Sequence, residues 1–249
     1  MKLYIYISTI LISLLFNTEA DYTWPTDVSK TVTAFFGEMR PNRYHYGIDI
    51  RTYGQNGKNI YSISNGYVYR IKISSDGYGK VIYIKLKDGN IALYSHLSKF
   101  NDKIEQIVSQ MQKMRNSYEI DHLLEPGLIP VSKGEIIGYT GDTGSLSGPH
   151  LHFEIRDEIN RPFNPFKTSL KKNFIDTKEP IPRRIAFIPR SAETKIEGLN
   201  HTRIYDVNKN EEEYYIKDTV QIVGEFGIAI DVIDKVDDQP FSYGIYSMD

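Results

Sequence analysis

The 249-residue sequence contains no cysteine. Disulfides, thiolate metal centres, cysteine nucleophiles and lipidation at a cysteine are therefore excluded. Neither sign of charge dominates: 30 Lys and Arg stand against 32 Asp and Glu, a net charge of −2. Such a balance offers no broad basic surface, so no nucleic acid is expected as partner. A His-Glu-x-x-His run, the mark of the commonest zinc-protease helix, is also missing. Long apolar stretches are absent beyond the first residues. There Lys2 precedes an apolar run from Leu3 to Phe16, followed by Thr18-Glu19-Ala20. That run is shorter than the about 20 residues a membrane span needs. It reads as a signal peptide over residues 1–20, and no stable membrane insertion is expected after its cleavage.

Histidine is scarce too, six in all, yet four fall in three short motifs. His45-Tyr46-Gly47-Ile48-Asp49 comes first, Tyr94-Ser95-His96-Leu97 second, and Gly148-Pro149-His150-Leu151-His152 third. Around the third motif, residues 140–147 are rich in Gly, Ser, Thr and Asp and read as a turn. Leu151, Phe153 and Ile155 then alternate with His150, His152 and Glu154. Alternate residues of a strand share a face, so the apolar three point to a core and the polar three to a common surface. Two imidazoles held side by side call for something that uses their lone pairs, and a metal does so. Lys80–Leu86 and Ile91–His96 read as a hairpin around Asp88-Gly89, with Ala92, Tyr94 and His96 on one face.

A catalytic zinc takes three protein ligands from His, Asp or Glu and leaves a position for water. His45, Asp49 and one histidine of the 150/152 pair make such a set. Gly47 between the first two removes a side chain and lets the backbone bend closely round an ion. His96 and the remaining histidine are then free to handle protons or an oxyanion. His122 and His201 have no partner motif and read as structural or exposed.

These residues resemble a known family. Phe36-Gly37, His45-x-Gly47-x-Asp49, Tyr94-Ser95-His96-Leu97, the Lys133–Gly138 run and Thr143-Gly144 leading to Gly148–Glu154 occur in the order seen in the lysostaphin/LytM-type zinc metallopeptidases. The likeness covers about residues 24–168. It implies a mainly β, antiparallel peptidase fold of the duplicated hybrid motif type, and Zn2+ as the cofactor. It implies that His45, Asp49 and His152 bind the metal while His96 and His150 are catalytic. It further implies peptidoglycan peptides as substrate, in a secreted or periplasmic setting. None of the five positions is missing, as happens in relatives that only regulate other wall hydrolases.

The expected organisation is a signal peptide over 1–20, the peptidase domain over 21–168, a linker over 169–182 and a small β-rich unit over 183–249. The last is β-sandwich-like, partial and of unassigned role, since about 65 residues is short for a whole sandwich. A helical insertion is expected at about 100–120: Ile104, Ile107, Val108, Met111 and Met114 fall at helical spacing after the N-cap candidate Asn101. It either packs on the domain or walls one end of the cleft. Two other functions compete with the enzyme. One is a non-catalytic wall-binding or hydrolase-activating module of the same fold. The other is a carrier-like domain, suggested by Lys133–Gly138, which would need a modifiable lysine at a hairpin tip.

Overall fold

The computed structural model describes residues 20–145 and 148–245. Apart from Ala20, the expected signal peptide lies outside them. The chain is mainly β, built of antiparallel sheets. Its principal strands are β1 (Val32–Ala34), β2 (Ile48–Arg51), β3 (Gly66–Ile73), β4 (Lys80–Leu86) and β5 (Ile91–Ser95). Helix α1 (Asp102–Arg115) follows, then β6 (Ile120–Leu123) and β7 (His150–Arg156). Their order across the main sheet is β1-β2-β7-β5-β4-β3-β6. The last strand in sequence thus enters the sheet between two that precede it by half the domain.

β-branched and aromatic residues dominate these strands, which suits a pleated surface covered on both sides. On one face Ile48, Ile50, Tyr94, Leu151, Phe153 and Ile155 meet in the main core, all fully buried. The ladder shows why. Phe153 pairs with Ile48 on one side and Tyr94 on the other, and Ile155 pairs with Ala92. The opposite face carries a smaller cluster of Val81, Tyr83, Ile91 and Leu93. Beside it on the same face lie His152, Glu154 and Arg156, which pair with Ser95, Leu93 and Ile91. One β-sheet therefore has a purely apolar side and a side shared between packing and chemistry.

Helix α1 is capped as the sequence predicts. The Asn101 side chain accepts the Ile104 amide at 3.0 Å, and Asn116 ends the helix in a left-handed conformation. Ile104 and Val108 are buried in the main core, whereas Met114 is 86% exposed. The stripe serves packing, and no residue of the helix lines the cleft described below.

The chain then passes through a short 3-10 turn that buries Leu170. Three strands, β8 (Ile181–Pro189), β9 (Arg203–Asp206) and β10 (Phe226–Ile233), form a separate antiparallel sheet in the order β9-β8-β10. From the end of β10 a loop closes on itself through paired backbone hydrogen bonds between Asp234 and Tyr243. This loop returns to the main sheet, where Tyr243 is 5% exposed and its hydroxyl donates to the Val32 carbonyl at 2.7 Å.

Candidate active site

Asp49 and His152 are brought together by ladder register alone. They are direct partners across β2 and β7, so their side chains rise from the same face. His45 reaches them from the turn before β2. That turn is held by hydrogen bonds from the Gly37 amide to the His45 carbonyl and from the His45 amide to the Glu38 carbonyl, both 2.8 Å. Gly47 is required at this approach, but for another reason than an ion. A Cβ there would lie 2.2 Å from the Phe153 carbonyl oxygen and 2.8 Å from the Glu154 side chain. The glycine admits β7 against the turn.

The three side chains present one atom each to a common point. His45 Nε2 lies 3.0 Å from Asp49 Oδ1 and 2.9 Å from His152 Nδ1, and His152 Nδ1 lies 2.8 Å from Asp49 Oδ1. The far nitrogen of each ring is spoken for. His45 Nδ1 donates to the Phe35 carbonyl at 2.8 Å, and His152 Nε2 donates to Glu154 Oε1 at 2.9 Å. With those protons placed outward, neutral rings turn bare lone pairs inward, onto a carboxylate oxygen. Three acceptors at such distances repel unless a cation sits among them. The donor set of two imidazoles and one carboxylate fits a zinc ion, with both histidines oriented from behind as metal-bound histidines usually are.

In the metal-free chain a proton answers the same demand. Burial alone would hold His152 neutral, but the Asp49 and Glu154 carboxylates outweigh it and push the imidazole up to about 9. Asp49 is opposed by burial too, yet its contacts with the His152 and His45 rings hold it well below the usual carboxylate range. Glu154 is fully buried and would be costly as an isolated charge. It is paid for by three donors: His152, the Tyr78 hydroxyl at 2.5 Å and Arg156 Nε at 2.6 Å. The Tyr78 ring also stacks on His152, with centroids 5.2 Å apart.

His96 and His150 stand on the other side of this cluster, their rings 4.8 Å apart. His96 departs from the expected alternation. Ala92 and Tyr94 face the core, and a strand continued to His96 would bury it there too. Instead His96 has φ +60, a left-handed conformation uncommon for a residue with a side chain. The backbone turns, Leu97 takes the core position, and His96 swings to the opposite face. Its Nδ1 donates to the Thr143 carbonyl at 2.8 Å, which leaves Nε2 as the free acceptor. Burial lowers its affinity for a proton to about 4, and the neighbouring His150 and His152 act in the same direction. His150 Nδ1 bonds the Gly148 carbonyl at 2.9 Å, and its Nε2 lies 3.5 Å from Asp49 Oδ1.

The five residues line one cleft of about 430 Å³, together with Arg40, Tyr44, Tyr46, Tyr78 and Ser145. Two loops lock together at its wall. The Gly77 amide donates to Ser145 Oγ, and the Ser145 amide donates to the Gly77 carbonyl. Gly144, at φ +83, would drive a Cβ to 2.4 Å from that carbonyl.

Residues 43–120 and 123–165 match the sequence profile of peptidase family M23. This segment, close to half of the chain, is of the M23 family, the lysostaphin/LytM type. The M23 segment is 33% identical over 129 residues to the DD-carboxypeptidase/endopeptidase Mpg of Neisseria meningitidis serogroup B, covering 51% of this chain and 23% of that protein. It is 31% identical over 111 residues to lysostaphin of Staphylococcus simulans, covering 44% of this chain and 17% of that protein. The chain thus spans less than a quarter of the length of these curated relatives. Among solved structures, a zinc-containing peptidase from Vibrio cholerae aligns over 59% of this chain and 39% of its own, at 26% identity and a TM-score of 0.44.

All five histidine and aspartate positions expected in the M23 segment meet at the cleft. His122 and His201 lie outside it: His122 is half-buried next to Arg115, and His201 is exposed. Lys133 does not serve as a free hairpin-tip amine, because its Nζ is bound to the Asp21 carboxylate at 2.7 Å. The sequence reading missed Tyr78 and Arg40. Tyr78 sits between Gly77 and Gly79 at a hairpin tip, a pattern that could have marked it. Arg40 Nη2 lies 3.3 Å from Asp49 Oδ2, the oxygen turned away from the histidines, and nothing in the local sequence pointed to that contact.

Proposed function

We propose that this chain is a zinc metalloendopeptidase that hydrolyses peptide bonds in bacterial peptidoglycan, in a secreted or periplasmic setting. The observation that carries the reading is the convergence of two imidazole nitrogens and a carboxylate oxygen within 3.0 Å of one another, facing two further histidines across one cleft. His45, Asp49 and His152 hold the metal. Bound zinc supplies Lewis acidity and makes water acidic enough to act as a nucleophile near neutral pH. His96 supplies the proton handling. His96 is neutral at physiological pH, and its Nε2 can take the proton of the attacking water. His96 then passes that proton to the departing amine, while His150, beside it, faces the charge that grows on the carbonyl oxygen as the carbon becomes tetrahedral. Glu154, Tyr78 and Arg156 keep His152 in the tautomer that faces the site. The domain limits read from the sequence, 21–168 for the peptidase and 183–249 for the second unit, belong to the same proposal.

The test is elemental analysis of the purified protein together with mass spectrometry of peptides released from purified cell walls. About one zinc per chain is expected, lost in His45→Ala and Asp49→Ala. His96→Ala is expected to retain zinc and release no peptides. Wild-type protein that holds no zinc and releases nothing would sink the proposal.

A further inference from the structure

The carbonyl that orients His45 belongs to Phe35, the residue just after β1. Strand β1 is only three residues long, is paired on one side, by β2, and has an irregular register. A strand of that size at a sheet edge holds little on its own. Its free side is not left to solvent. The loop that returns from the C-terminal sheet places the buried Tyr243 against it. The Tyr243 hydroxyl donates to the Val32 carbonyl at 2.7 Å, and its ring meets the Phe35 ring edge-on with centroids 4.5 Å apart. Phe35 is clamped from other sides by Phe166 at 5.8 Å and Phe174 at 5.3 Å. Phe241, two residues before Tyr243, lies 5.4 Å from the Arg51 guanidinium, and Arg51 is the direct ladder partner of His150.

These contacts form a continuous chain: Tyr243 to Val32 and Phe35, the Phe35 carbonyl to His45 Nδ1, and His45 Nε2 to the metal position. We propose that Tyr243 is a positioning residue of the metal site, so that the C-terminal unit completes the peptidase domain instead of merely hanging from it. The inference rests on the reading of His45, Asp49 and His152 as metal ligands. The aromatic edge contact and the buried hydroxyl–carbonyl bond both hold Phe35 and β1 in place. Their loss would leave Phe35 free to shift, and a ligand whose outer partner is disturbed typically loses 10- to 100-fold in metal affinity.

Zinc affinity of the full chain, measured by competition with a chromophoric chelator at 25 °C, tests this. Tyr243→Ala is expected to bind zinc about tenfold more weakly than wild type. Tyr243→Phe, which keeps the ring and loses only the hydroxyl, is expected to fall roughly threefold. Ile104→Ala, a core truncation in α1 that does not line the cleft, controls for destabilisation alone and is expected to retain wild-type zinc affinity. Cobalt substituted for zinc gives a second readout, and the visible absorption of the Tyr243→Ala complex should shift as His45 moves. Wild-type zinc affinity and an unchanged cobalt spectrum in Tyr243→Ala would overturn the inference while leaving the proposed function standing. A comparable loss in Ile104→Ala would overturn it too, since destabilisation would then suffice. Absence of zinc binding by the wild type would instead overturn the proposed function first.

Discussion

Gly47 shows how a single missing side chain supports the whole site. Its backbone lies against the Phe153 carbonyl at a distance that no Cβ can share. Gly47→Ala should force the turn away from β7 and cost about 1 to 3 kcal/mol in urea unfolding. Zinc binding should weaken with it, because His45 rides on that turn. His96 gives a pH signature. Its folded-state affinity for a proton is depressed to about 4 against an ordinary value of 6.5, chiefly by burial. Its contribution to stability is therefore present above pH 6.5 and is lost as pH falls toward 4. In metal-free protein the loss should amount to roughly 3 kcal/mol. His96→Gln cannot take the proton, so urea midpoints at pH 6.5 and pH 4 should differ less in that variant, and equal differences would refute the argument. The five site residues were legible because each sits in a motif of distinctive spacing. Arg40 was not, and Tyr78 was marked only by its flanking glycines, since their roles depend on contacts to Asp49, Glu154 and His152 made only in the folded chain.

Elements follow a similar division. Strand β7 could be read almost in full: apolar residues to the core, histidines and glutamate to the other face. The strand ending at His96 could not, because alternation carries no hint of a left-handed residue. That turn is imposed by the tertiary bond to Thr143 and by Leu97 filling the core. Helix α1 was visible in its apolar stripe and its cap, though whether it would wall the cleft depended on where the helix docks. Because Ile104 is fully buried and does not line the cleft, Ile104→Ala should cost about 2 to 5 kcal/mol of stability. Peptide release from cell walls at 25 °C should stay at the wild-type rate. A loss of activity in the still-folded variant would place the helix in the catalytic unit.

At the scale of the molecule, the two sheets differ in how they treat apolar surface. The main sheet hides its isoleucines completely. The C-terminal sheet keeps Ile228 at 57% and Ile230 at 36% exposure on one face. Such residues are only partly buried, so Ile228→Ser with Ile230→Ser should cost less than a core truncation and move the thermal midpoint by no more than about 4 °C. A larger fall would show that the face is covered in solution. The sequence revealed that this unit is rich in β-structure but neither β9 nor the return of Tyr243 to β1, a contact between residues 211 positions apart. The order β1-β2-β7-β5-β4-β3-β6 has a further meaning when the chain is considered as it is made. Until residues 150–156 leave the ribosome, β2 and β5 flank an empty slot. The nascent chain then carries two unfilled edges, each prone to wrong pairing. The strand that fills the slot also delivers His150 and His152. A half-made chain therefore lacks both the third of the proposed metal ligands and His150. The same event that closes the sheet thus completes the proposed site.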